Sequence, residues 1–202
     1  MKTPARFALG VSTALVAVSL AACTSSKASG DKTSSTTTKS SSTASTPASS
    51  TGSSSSGTTD YSALLIAPSD IPVPGVTEGT PAAPPQGTGV TVSFTATGGR
   101  TVGDTILVLP DAAAATSAAQ TTATAAKQEV TGAEVTTAPI GGGGTVVRGT
   151  ASGQAVVILV FTEGKALVVL EFTSSANDPV PTDVVQQVAT AQDAKIKAGL
   201  PS

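Results

Sequence analysis

The alternation of apolar and polar residues is clearest in the second half of the chain. Val90, Val92, Phe94 and Ala96 are interleaved with Thr91, Ser93, Thr95 and Thr97, a period of two that predicts a strand with one buried face. Gly98-Gly99 supplies a turn, and Thr105–Leu109 reads as the returning strand of a hairpin. Pro110-Asp111 breaks that strand, with Asp111 placed to cap a helix. From Asp111 to about Glu129 the period becomes helical, and Ala112, Ala115, Ala119, Ala123, Ala126 and Val130 fall on one stripe. Such small side chains let a helix axis approach a sheet closely while offering little apolar area. Strand patterns return at Glu134–Thr137, Thr145–Thr150, Gln154–Thr162 and Lys165–Phe172, the last two joined across Glu163-Gly164. A closing helix is predicted from about Thr182 to Ala198, between Pro179 and Pro181 on one side and Gly199-Leu200-Pro201 on the other.

Hairpin-connected strands with two helices imply an α+β domain: an antiparallel sheet of about five to six strands, with two helices packed on one face, after a disordered tether. Val156, Ile158 and Val160 point one way, and Val157, Leu159 and Phe161 the other. Leu167 and Val169 oppose Val168, Leu170 and Phe172 in the same manner. Strands apolar on both sides need cover on both, so the pattern leaves open what covers the second face. Ahead of the sheet, Tyr61–Ile66 is a short apolar segment, either a helical turn or two or an edge strand. Pro68, Pro72, Pro74, Pro81, Pro84 and Pro85 follow in an irregular passage.

The N-terminus carries a different pattern. Lys2 and Arg6 precede an apolar run from Phe7 to Leu20, shorter than the ~20 residues a spanning helix needs. The run ends Leu20-Ala21-Ala22-Cys23, and Cys23 is the single cysteine of the chain. This tetrapeptide resembles the bacterial lipobox. The resemblance implies cleavage before Cys23, a diacylglyceryl thioether on its sulfur and further acylation of the new amine. A thiol is needed because thiolate is the nucleophile that accepts the alkyl group. Two or more acyl chains exceed the marginal hold of one, so anchorage to the outer leaflet of the cell membrane is expected.

Residues 1–22 are thus read as signal peptide, 23–59 as lipidated Cys and tether, and 60–202 as one extracytoplasmic domain. From Thr24 to Thr59, 25 of 36 residues are Ser or Thr and none is aromatic. Such a segment cannot offset its ordering entropy by burial. As a flexible chain it spans roughly 30–36 Å, enough to lift a domain off a membrane. With Pro47 it also resembles O-glycosylated stalks, and a plain solvated spacer is the other reading.

Charge and chemistry narrow the function classes. Residues 1–59 carry a net +4 and residues 60–202 a net −6, which sum to the −2 of the whole chain. An acidic domain without basic clusters repels phosphate backbones, so nucleic acid is not an expected partner. With no His and one Cys, the usual side chains of zinc sites and of Ser–His or Cys–His catalysis are missing, and neither metal nor cofactor is expected. Gly144–Thr150 has the end glycines of a phosphate loop but no lysine, and a strand follows it in place of a helix. Ser29 and Lys32 have an acyl-enzyme spacing but fall in the tether. Glu163, Glu171, Asp178 and Asp183 read as turn and helix-start charges, and Arg100 and Arg148 as strand-end charges, with a shared anion site as the alternative.

Lipobox, tether and small β-rich domain together look like the secreted lipoproteins of mycobacteria and related actinobacteria. The Leu64–Asp70 start, the Pro110-Asp111-Ala-Ala opening of the middle helix and the closing helix resemble the LpqN-type lipoproteins and the PknH-type extracytoplasmic sensor domains. The sensor domains usually carry disulfide cysteines, and this domain has none. The resemblance implies a cell-envelope lipoprotein with a non-enzymatic binding or structural role toward a protein or cell-wall partner. The alternative is a carrier or sensor of an apolar ligand, lipid or glycolipid, held between sheet and helix.

Overall fold

The computed structural model describes Asp60–Leu200. Leu20, Ala21, Ala22, Cys23 and the tether lie outside the described residues. In chain order the elements are β1 (Thr77–Glu78), β2 (Gly89–Ala96), β3 (Arg100–Val108), α1 (Ala112–Glu129), β4 (Thr131–Ala138), β5 (Gly144–Ala151), β6 (Gln154–Glu163), β7 (Ala166–Ser175) and α2 (Thr182–Gly199). Short 3-10 turns at Ser62–Leu64 and Pro68–Asp70 precede β1, and a third at Thr97–Gly99 joins β2 to β3. The strands form one antiparallel sheet in the order β1-β2-β3-β7-β6-β5-β4.

The α+β class and the antiparallel sheet are as expected, but the sheet has seven strands, not five to six. The additional one is β1, whose two residues inside the proline-rich passage are too few to show a period. Strand β3 also starts earlier than expected, at Arg100, so Val102 and Asp104 belong to the sheet. The Asp111 carboxylate accepts from the Ala114 amide at 2.7 Å and caps α1.

Register decides which residues share a face. Asp104 lies opposite Val92 on one side and Leu170 on the other, and Leu170 lies opposite Leu159. Their face of the sheet buries Phe94, Ile106, Phe161 and Phe172, and helical elements cover it. The two N-terminal turns and their flanks bring Leu64, Ile66 and Ile71, while α2 brings Val185, Val188, Ala189 and Ile196 to the same cluster.

The other face carries α1. Ala126 and Val130 pack on Val147 and Val156, with Ile158 alongside. The helical elements sharing a face are therefore α2 and the N-terminal turns, and the expectation that the two helices pack on one face is corrected, since α1 lies on the other. Path explains the difference. To pass from β3 to the far edge, the chain must cross β7, β6 and β5, and the alanine stripe lets α1 cross close to the sheet. Ala115 and Ala126 are buried and Ala119 and Ala123 half-buried, but Ala112, in the first turn, is exposed. The approach is tight at Gly149, where a Cβ would meet Thr131 O at 2.5 Å and Val130 Cγ1 at 2.6 Å.

Candidate functional site

The glycine-rich stretch does not form a phosphate cradle. Gly144–Ala151 is β5, and the turn before it spends its amides internally: Gly142 N donates to Thr162 O at 2.6 Å and Gly143 N to Ile140 O at 2.9 Å. Arg100 and Arg148 do not form a shared anion site either, since each is drawn to the connection between β7 and α2. Arg100 Nη2 bonds Asp178 Oδ2 at 2.6 Å, and Arg148 Nη1 reaches the Val180 carbonyl at 3.4 Å. Glu163 lies 3.7 Å from Lys197, which also bonds Asp193 at 2.6 Å. That hydrogen bond to Asp193 is the main cause of a raised Lys197 pKa. Ser29 and Lys32 lie outside the described residues.

One small cleft, of about 80 Å³, opens beside α2 on the face that α2 covers. Strands β4 and β5 supply Thr136, Val146 and Arg148, and α2 supplies Thr182, Val185 and Gln186. Helix α2 packs on β6 and β7, and its first turns line the gap together with β4 and β5. Glu134 stands directly opposite Arg148 in register, so the rim is charge-balanced and not cationic. Ligand pockets for drug-sized molecules run to roughly 300–1,000 Å³. This cleft has room for a side chain or a few atoms, with a guanidinium, an amide and hydroxyls to hydrogen-bond them.

The second polar locus is buried. Asp104 sits in the middle of the phenylalanine-bearing face at 0 % exposure, and neither carboxyl oxygen has a hydrogen-bond partner. Burial pushes its pKa up to about 7, while the nearby Ile66 amide opposes the shift without closing a well-formed bond. Gln192, equally buried on α2, donates from Nε2 to the Leu64 carbonyl at 2.8 Å and leaves Oε1 without a partner. Asp104 and Gln192 thus converge on the same three residues, Leu64–Ile66. Sequence reading missed both. Asp104 could have been found by running the period of two back from Ile106 through Val102.

Among the described residues no helix is long and apolar enough to cross a membrane. On the α1 face the Glu171 pKa is raised, first by partial desolvation of its carboxyl and then by the charge of Glu129, although the residue as a whole stays exposed. No protein-family model, curated protein or solved structure matches the chain.

Proposed function

We propose that this chain is a lipid-anchored lipoprotein of the cell envelope, whose domain acts outside the membrane in a non-enzymatic binding or structural role. The observation that carries this is the placement of the single cysteine: Cys23 ends Leu20-Ala21-Ala22-Cys23 directly after a short apolar run. The Ser/Thr-rich residues 24–59 then separate the anchor from the described domain, as a spacer between a bilayer and a binding module must. The reading as a carrier of an apolar ligand between sheet and helix is less well supported. Ala115 and Ala126 bring α1 down onto the sheet with no exposed surface or almost none, and the cleft on the other face is too small for an acyl chain.

Detergent phase separation of the full chain made in a bacterial host tests the anchor. Wild type is expected in the detergent phase, with a mass increase from acylation, and Cys23→Ser in the aqueous phase. Retention of Cys23→Ser in the detergent phase would sink the proposal. Stoichiometric lipid extracted from the folded Cys23→Ser protein would promote the carrier reading instead.

A further inference from the structure

We infer that the segment Tyr61–Ile71 is a pH-responsive latch, closed over Asp104 while that carboxyl is neutral and loosened when it ionises. The inference does not depend on lipidation. It begins with what the segment covers. Leu64, Leu65, Ile66 and Ile71 are buried in one cluster with Val92, Phe94, Val102 and Ile106 of β2 and β3. Its backbone bonds are mostly local: Leu64 N to Tyr61 O, Leu65 N to Ser62 O, Asp70 N to Ala67 O, and Ala67 N to Asp70 Oδ2. The tie to the rest of the domain is the Gln192 bond to Leu64 O. Leu64 also packs where a Cβ on Gly199 would meet its Cδ2 at 2.4 Å, so the segment lies snugly against the end of α2.

Asp104 is fully buried on this face, and its carboxyl lies beside the Ile66 amide of the segment. No charge on the surrounding elements compensates it. On β3 the same-face cation is Arg100, four residues away and bonded to Asp178. On the segment itself Tyr61 packs at the periphery, and Asp60 and Asp70 are bonded to the Ser62 and Ala67 amides. On α2 the buried stripe is Val185, Val188, Ala189, Gln192 and Ile196. Asp193 and Lys197 of that helix are bonded to each other, and Lys195 is half-buried at the margin of the stripe. Beside Asp104, β2 presents valines and Phe94, and β7 presents Val168, Leu170, Phe172 and the Ser174 hydroxyl; Glu171 is on the opposite face.

A neutral carboxyl in this site costs less than an ionised one, whose desolvation penalty the single Ile66 amide only partly offsets. Burial raises the Asp104 pKa to about 7, so the change of charge falls near neutral pH. Hydration of the carboxylate requires lifting Leu64–Ile66, which frees Gln192 and uncovers the apolar β2–β3 surface. Local opening of this kind is cheaper than global unfolding because the segment is terminal to the sheet.

The test is hydrogen exchange of the full chain, read by mass spectrometry and corrected for the intrinsic pH dependence of exchange. Peptides covering Leu64–Ile71 are expected to exchange through an opening of lower free energy than that of β6 at every pH, and to lose about tenfold or more of their protection between about pH 5 and about pH 8. In Asp104→Asn that loss should vanish. An unchanged pH profile in Asp104→Asn would overturn the latch, as would exchange of Leu64–Ile71 only through the same global opening that exposes β6. Because the variant could fail to fold, a carbon-13 NMR titration of the wild-type Asp104 carboxyl supplies an independent arm. A midpoint near 7 supports the latch, and one in the ordinary carboxylate range overturns it.

Discussion

On the face beneath α2 and the N-terminal turns the sheet presents Phe94, Phe161 and Phe172, together with Ile106, Leu159 and Leu170. Beneath α1 the cluster is Val147, Val156 and Ile158, met by alanines, with Val160 and Leu167 also buried on that face. The first face is deep, built from large side chains and several covering segments. The second is shallow, a single helix lying close to the strands. Depth has a consequence for polar atoms. On the deep face Asp104, Gln192 and Ser174 keep oxygens that find no hydrogen-bond partner. On the shallow face the polar side chains beyond α1 reach each other, as Thr91 and Thr105 do at 2.8 Å, and Thr101 and Thr173 also bond. A thin layer lets polar groups pair or hydrate, and a thick one traps them.

Mutations that thin the deep face or thicken the shallow one should break this contrast. Phe172→Ala is expected to cost the most, about 3–5 kcal/mol, because a fully buried ring leaves a cavity few neighbours can fill; denaturant unfolding measures it. The Asp104 effect comes next and depends on pH. The folded-state pKa is about 7 against an ordinary value of 3.8, so the folded protein binds the extra proton between those limits. Stability from this group is full below about pH 4, falls as pH rises, and is lost above about 7, a difference on the order of a few kcal/mol. Asp104→Asn should flatten that slope in thermal melts taken across the same range.

On the shallow face Gly149→Ala is expected to destabilise by about 1–3 kcal/mol, since the added methyl meets backbone and Val130 and the helix must move outward. The smallest effect belongs to the end of α1. Asp111→Ala removes the cap and should cost about 1 kcal/mol, with helix fraying visible as faster exchange of the Ala114 amide.

Most of the sheet was legible because strands and helices impose periods on the sequence. β2 is buried at Val90, Val92 and Phe94 as its alternation implies, and the Asp111 cap follows from one residue type at one place. The arrangement of helices was not legible. Both α1 and α2 have apolar stripes, and a stripe says that a helix is covered without saying by which side of a sheet. Of the polar loci, Arg148 was visible as a charge on a strand. Asp104 was hidden because the returning strand was read as starting at Thr105, one residue after it, whereas β3 starts at Arg100. A single buried carboxyl interrupts the apolar pattern that would have revealed it.

Tyr61 has a consequence of a different kind. It is the only tyrosine in a chain without tryptophan, and it packs half-buried at the margin of the cluster that Leu64 and Ile66 enter. With excitation on the red side of phenylalanine absorption, near-ultraviolet emission from this protein therefore originates at one place, the entrance to the described domain, and is silent about everything else. An unlabelled sample carries its own optical reporter for that entrance, and a change in the intensity or polarisation of its light would register movement there before any strand had come apart.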